Sequence, residues 1–402
     1  MDFSTLLSPL TTTDFVDGPW ERHPARLGPC SAECIAALLR LDDVDRILAE
    51  GRLPPALLSF NRGGEAVSPD RYRIQHSAGK DRVVESIDQP RAHALLAEGH
   101  TMVMAELQSW HEPVRQLCDS MAQVLAGRVH ANVYITPSSC QGFGAHYDSH
   151  DVFIVQLVGR KRWRLRGAPH PLPLSGESFT RVAPSVGPVE RELVLEPGDV
   201  LYLPRGHIHE AAAMDSLSMH TTLGVTVPRW ADLVTELIAV ASHEDVALRR
   251  ALLPAMVRTG ASADGVETAT ALWKRLMRPE TLAKARARLA RRFSPVTPPR
   301  TRHRLVDFAR TEALDVDMVC GPQPGLAIRR DAAVGTVERR SSTQALVLPE
   351  ILGEELEYIA GSTRFRVGDL PGELDDEDKL QLTRTLVRGG FVRCYGQPEA
   401  TP

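Results

Sequence analysis

The hydrophobic pattern changes its period twice along the chain. Up to about residue 127, apolar positions recur mostly at helical spacing. Ser31-Ala-Glu-Cys opens a run carrying Ile35, Leu38 and Leu39, and Asp42-Asp43-Val44-Asp45 opens another that ends before Gly51. Ser and Asp satisfy free backbone N–H groups at helix starts, so both runs predict helices. Residues 61–80 are polar and contain glycine, which predicts a loop. Residues 86–99, with Gln89-Pro90 near their start, predict a short helix, and 101–107 predict a strand. Glu112-Pro113 begins a helix whose apolar positions include Val114, Leu117, Met121 and Val124, and Gly127 ends it.

From Val129 the period becomes two. Strands are expected over 130–136, 151–158, 161–166, 191–195, 200–203 and 219–226. The run Asp151–Val158 (DVFIVQLV) is β-branched and apolar, the composition of a buried strand. Pro197-Gly198 marks a tight turn. Many short strands in series predict a mostly β core, a small barrel or double-sheet jelly roll.

After Pro228 the character turns helical again, over 230–253 and 266–293, and Ser294–Pro299 reads as a linker. Beyond it, 334–348 suits two strands, 349–360 a helix and 365–370 a strand. A helix capped by Asp375 or Asp376 then runs to Arg388, before Gly389-Gly390. That order fits a winged-helix-like unit. Three domains are therefore expected: 1–228, 229–300 and 301–402.

Composition narrows the class. The 402 residues are 43% hydrophobic and 24% charged, as in globular proteins, and the net charge of -4 disfavours a general nucleic-acid binder. No apolar run approaches a membrane span, and the N-terminus lacks the basic start and apolar block of a signal peptide. Six scattered cysteines suit a reducing compartment, so a cytoplasmic location is expected.

The candidate chemistry lies in the β region. His146 and Asp148 are two residues apart, so in extended chain their side chains leave one face. A third ligand must come from elsewhere, and Leu195–Glu210 offers His207 and His209. These two share parity, so spacing alone does not choose between them. Two His and one carboxylate on one side of a metal is the facial arrangement of non-haem Fe(II) oxygenases. It leaves two positions for a bidentate 2-oxo acid and one for O₂. Lys161 lies in the following strand-like run with Trp163 at its parity, while Arg160 and Arg162 point the other way.

Several stretches together resemble one family. They are Asn132-Val-Tyr134, Gly142-Phe143, His146-Tyr-Asp148, Gly159-Arg-Lys161 with Trp163, Leu195–Gly206 (LEPGDVLYLPRG), Ile208-His209 and Ser218-Met-His220-Thr-Thr-Leu223. The pattern is similar to the ribosomal-oxygenase branch of the JmjC cupins. It is dense over 129–225 and extends more weakly along nearly the whole chain. The resemblance implies a double-stranded β-helix catalytic core with a helical dimerisation segment and a C-terminal winged helix. It implies Fe(II) held by His146, Asp148 and His209, with 2-oxoglutarate and O₂ as co-substrates. It also implies Lys161 on the distal carboxylate, and Asn132, Tyr134 and His220 in the same pocket.

The implied activity is hydroxylation of a protein or peptide side chain, with a ribosomal protein as one such substrate, coupled to decarboxylation of 2-oxoglutarate to succinate and CO₂. Two alternatives keep the metal. One is a hydroxylase of a peptide natural product or free amino acid. The other is a non-catalytic metal-binding cupin sensor, which would not need Lys161. A homodimer through the helical segment is expected. Lys274, Arg275, Arg278, Lys284, Arg286, Arg288, Arg291 and Arg292 read either as a solvated helix face or as a patch meeting ribosomal RNA or an acidic substrate surface. The acidic opening of the last helix (Glu373, Asp375, Asp376, Glu377, Asp378) argues against DNA.

Overall fold

A computed structural model describes residues 1–77, 79, 83–252, 270–274, 276–293, 304–323, 327–331, 336–340 and 345–396. The chain divides into two compact units, Met1–Pro295 and Val296–Pro402.

In the first unit the strands, in chain order, are β1 (Ala25–Leu27), β2 (Leu58–Arg62), β3 (Glu65–Ala66), β4 (Arg73–Ser77), β5 (Val83–Ile87), β6 (Thr101–Met104), β7 (Arg128–Thr136), β8 (Asp151–Val158), β9 (Lys161–Leu165), β10 (Arg191–Leu195), β11 (Val200–Leu203), β12 (His209–Ala213) and β13 (Ser218–Thr226). Among the described residues the main sheet has the order β1-β11-β8-β13-β7-β6-β2-β3, and a smaller sheet has the order β10-β9-β12. Each pairing within these two sheets is antiparallel.

Why β8 is apolar at nearly every position follows from its place. Phe153, Val155 and Leu157 join the large core built with the N-terminal helices, including Phe3, Leu6, Phe15 and Leu117. Val152 and Ile154 face the other way and pack with Trp163, Leu165, Leu195 and Leu201 between the sheets. A strand covered on both faces loses the alternation of a half-exposed one. β9 has that alternation: Lys161, Trp163 and Leu165 are buried, whereas Arg162 and Arg164 are exposed and pair with Glu192. Gly159 makes the turn between them at φ 64°; a β-carbon there would lie 2.1 Å from the Leu217 carbonyl oxygen.

The six strands expected from Val129 onward are present, with ends shifted by at most two residues. Three readings change. The polar stretch taken as loop contains β4, which pairs with β5, so residues 86–87 end a strand and the helix begins at Gln89. The helix expected over 230–253 is α-helical over Trp230–Glu244 and continues as a 3₁₀ turn, Val246–Arg249. β12 was not anticipated, because HEAAA carries no β-forming side chains. The expected linker 294–299 lies outside the described residues, as do 253–269.

The helix Pro279–Phe293 packs on Trp230–Glu244 through Leu237, Val240 and Ala285. Part of its basic face is neutralised there: Arg288 pairs with Glu236, and Lys284 pairs with Glu244.

The second unit contains helices Arg304–Thr311, Gly353–Gly361 and Asp376–Arg388, the last capped by the Asp375 side chain. Its strands are β14 (Val319–Pro322), β15 (Ala327–Asp331), β16 (Thr336–Arg340), β17 (Ala345–Pro349), β18 (Phe365–Arg366) and β19 (Val392–Gly396), in sheets β18-β14-β19 and β15-β16-β17. Leu356, Ile359, Val367, Leu386 and Val392 form its core. Among the described residues of the chain no helix is long and apolar enough to cross a membrane.

Candidate metal and oxo-acid site

His146 and His209 are brought together by the backbone itself. The His146 N–H donates to the His209 carbonyl at 3.1 Å, and the His209 N–H donates back at 2.8 Å. This isolated bridge sets the segment after β7 against the first residue of β12. Asp148 is held through its carbonyl, which accepts the Gly206 N–H at 3.0 Å. The Gly206 loop is fixed in turn by Arg205, whose guanidinium pairs with buried Asp151 at 2.8 Å and also with Glu21.

The ligand atoms of His146, Asp148 and His209 all lie within 4.8 Å of one another. Nδ1 of His146 lies 2.8 Å from the Gly144 carbonyl oxygen, and Nδ1 of His209 lies 3.0 Å from that of His207. A carbonyl oxygen accepts only, so each Nδ1 carries the proton and each Nε2 presents a lone pair. Two oriented imidazoles and a carboxylate are the donor set of a divalent transition metal. The site's charge agrees. Burial opposes ionisation of Asp148, but the surrounding histidines, His150 and His209 foremost, hold its carboxyl below the usual value. Burial, then proximity to His146, lowers His209 to about 4, so it is a neutral ligand at physiological pH. His207 contributes its carbonyl while its ring lies outside the cluster, which separates the two histidines that parity left equal.

The triad opens into a cavity of roughly 550 Å³, mouth included, between the two sheets. Tyr134, Val152, Ile154, His220 and Thr222 line it from the main sheet, and Lys161, Trp163, His209, Glu210 and Ala211 from the smaller one. Lys161 is 4% exposed. Its Nζ donates to Thr136 Oγ1 at 3.0 Å and lies 3.4 Å from Nδ1 of His220. Among the described residues no carboxylate is paired with it, and burial alone lowers it to about 7. A buried ammonium without a counter-charge at the inner end of a cavity is a site for an anion.

His220 stacks on Tyr134, ring centroids 4.8 Å apart, and meets Trp163 edge-on. Burial, with Lys161 beside it, keeps His220 neutral. Tyr134 is pushed up to about 12 by burial and then by Asp148, so it stays a phenol that can donate. Asn132 does not line the cavity; its amide oxygen accepts the Glu106 N–H at 3.2 Å. Sequence reasoning missed Thr101, Thr136 and Glu210. Thr136 shares parity with Asn132 and Tyr134 on β7, which was the available signal. Thr101 Oγ1 donates to Thr136 Oγ1 at 3.1 Å, and Glu210 is held by Arg166 at 2.6 Å. His130, pushed down to about 4 by burial and by His150, also escaped notice.

Comparison with known proteins gives a consistent picture. Residues 104–233 match the JmjC domain model. Ribosomal oxygenase 2 of Rattus norvegicus is 30% identical over 61% of this chain and 53% of its own length. The bifunctional lysine-specific demethylase and histidyl-hydroxylase NO66 of Drosophila persimilis is 28% identical over 60% of this chain and 34% of its own length. The chain thus spans between a third and about half of these relatives. Among solved structures, the Escherichia coli ribosomal oxygenase YcfD in complex with cobalt and 2-oxoglutarate has a TM-score of 0.53 at 18% identity, covering 96% of this chain and 99% of that one. At that identity the likeness is one of fold.

Proposed function

We propose, from the match of residues 104–233 to the JmjC domain model and the similarity to ribosomal oxygenases, that the chain is an Fe(II)- and 2-oxoglutarate-dependent hydroxylase of a protein side chain, with a ribosomal protein as the favoured substrate. The carrying observation is that one cavity holds both a preoriented His146–Asp148–His209 donor set and a buried ammonium, Lys161, with no carboxylate partner among the described residues. A metal-binding sensor would need the first and not the second. YcfD has been crystallised with a metal and 2-oxoglutarate, and the curated relatives are named as ribosomal oxygenases and histidyl-hydroxylases.

His146, Asp148 and His209 would hold the iron. When bound, it supplies the redox chemistry that couples decarboxylation of 2-oxoglutarate, giving succinate and CO₂, to hydroxylation of a C–H bond by O₂. The chain's own residues do the rest. Lys161, braced by Thr136 and His220, receives the distal carboxylate. Tyr134 and Trp163 wall the oxo acid off from water, and Asn132 steadies the chain beside Tyr134. None of the six cysteines is in a disulfide, which supports a reducing, cytoplasmic location. A homodimer through the helices after Pro228 is supported by their exposed apolar side chains, Trp230 (83% exposed), Ile238 and Trp273. The acidic opening of the helix Asp376–Arg388 favours a protein-facing role for the second unit.

The test is titration of metal-loaded protein with 2-oxoglutarate under anaerobic conditions, then O₂-dependent succinate formation and a +16 mass on ribosomal proteins. Failure of metal-loaded protein to bind 2-oxoglutarate overturns the assignment.

A further inference from the structure

Two of the six cysteines, far apart in sequence, meet in the second unit. Cys320 on β14 and Cys394 on β19 stand directly opposite one another in the sheet. Gln323 donates its N–H to the Phe391 carbonyl at 3.0 Å. Hydrogen-bonded and open pairs alternate along an antiparallel ladder, so Cys320–Cys394, three steps on, is an open pair. The backbone of Cys394 agrees. Its N–H donates to Asp307 Oδ1 at 3.0 Å and its carbonyl accepts from Arg310 at 2.7 Å, both on the helix Arg304–Thr311 and not on β14. Opposed α-carbons at open positions are roughly 4.5 Å apart, inside the range that a disulfide spans. The two sulfurs lie 3.8 Å apart.

A single buried cysteine behaves as a small apolar residue, and both side chains are covered within the core of this unit. What sets the pair apart is that each thiol is the other's polar partner. The Cys320 S–H donates to Cys394 Sγ, which lowers the Cys394 thiol against the opposing effects of burial and Asp307, with Arg310 helping. The same bond, then burial, raises Cys320. Cys394 is therefore the first of the two to lose its proton. Access follows from topology. β19 is the outer strand of β18-β14-β19 and, among the described residues, pairs on one side only. Its register with β14 slips by one residue between Val319 and Cys320. Local opening favours elements with few partners, and lifting β19 uncovers both sulfurs.

We infer that Cys320 and Cys394 form a reversible disulfide site, a redox mark on the second unit that draws on none of the metal chemistry. The oxidant is a low-molecular-weight disulfide of the glutathione class. The Cys394 thiolate attacks one of its sulfurs, breaks that S–S bond and releases one thiol. The Cys320 thiolate then attacks Cys394 Sγ in the mixed disulfide and releases the second. The two protein thiols lose two electrons and two protons, and the small disulfide is reduced to two thiols. The link closes a loop of about 75 residues and fixes the edge strand to its neighbour. A reducing compartment keeps the pair open, and an oxidised one closes it.

The test equilibrates reduced full-length protein, with a chelator present, in glutathione buffers of increasing oxidised fraction, then quenches with acid and maps the peptides by mass. We expect a peptide cross-linked through Cys320 and Cys394 whose yield climbs with the oxidised fraction, and full reversal by dithiothreitol. Amide exchange across β19 should slow at least tenfold in the linked form. Cys320→Ser should stop at the mixed disulfide, with glutathione left on Cys394, whereas Cys394→Ser should leave Cys320 unmodified. The wild-type map stands on its own should either variant fold poorly. Four results overturn the inference: no cross-link at any glutathione ratio while the protein stays folded, glutathione held separately on either thiol of the wild type, a link that forms only in denaturant, or exchange in β19 that is no slower once linked.

Discussion

Replacing Lys161 with methionine should make the protein more stable and useless for binding its oxo acid. The ammonium is buried, neutralised by no carboxylate among the described residues, and lowered from 10.5 to about 7 by loss of water. That fall corresponds to about 5 kcal/mol between charged and neutral forms. Relaxation reduces what is realised, and buried charges exchanged for apolar groups of similar volume have returned about 1–4 kcal/mol. The direction with pH follows from proton counts. Between about pH 7 and pH 10.5 the unfolded chain binds this proton and the folded chain does not, so wild-type stability rises with pH across that window. K161M removes the dependence. Its advantage should be largest below pH 7 and fade toward pH 10.5. Thermal unfolding at pH 6.5 and 9.5 reads this directly, with the variant melting higher at pH 6.5 by roughly 2–4 °C per kcal/mol. Binding should move the opposite way. Truncating one partner of a buried charged hydrogen bond costs about 2–5 kcal/mol, or roughly 30- to 4000-fold in affinity for 2-oxoglutarate. A variant that melts lower at pH 6.5, or binds 2-oxoglutarate within threefold of wild type, would refute the assignment of Lys161 as a strained anion site.

Three further outcomes can be checked. His209→Ala should weaken Co(II) binding by at least a hundredfold, read from its visible absorption, while His207→Ala should change it less than threefold because only the backbone carbonyl of residue 207 is used. Arg205→Met leaves Asp151 buried without its guanidinium and should lower stability by about 3–5 kcal/mol in chemical denaturation. Wild-type affinity for 2-oxoglutarate should fall as pH rises above about 7, since a neutral Lys161 must take up a proton to pair with the carboxylate, and calorimetry in buffers of different ionisation enthalpy will count that proton.

The site was legible where chemistry and spacing coincide. His146 and Asp148 stand out because two ligands two residues apart need no long-range information, and Lys161 because β9 alternates cleanly. The choice between His207 and His209 was not available from parity. It depends on the bridge between His146 and His209, a contact between segments far apart in sequence. β12 was invisible because its alanines fit a strand only by pairing with β9. The β4–β5 pairing was hidden because β4 is polar and largely exposed and β5 is only partly buried, so neither strand shows a clean alternation. Cys320 and Cys394 escaped for a related reason: two lone cysteines acquire meaning only when the sheet register sets them opposite one another.

The reciprocal backbone bonds between His146 and His209 carry a consequence for metal supply. Because peptide groups hold these two imidazoles together, the cradle owes its shape to the fold and not to its guest. A cradle that does not reshape itself around its guest has little means of refusing a competitor. Cobalt, nickel and zinc should all enter, the later ones more tightly than iron. The working ion is then selected by what the cell makes available, and protein purified on nickel resin would come off the column already poisoned.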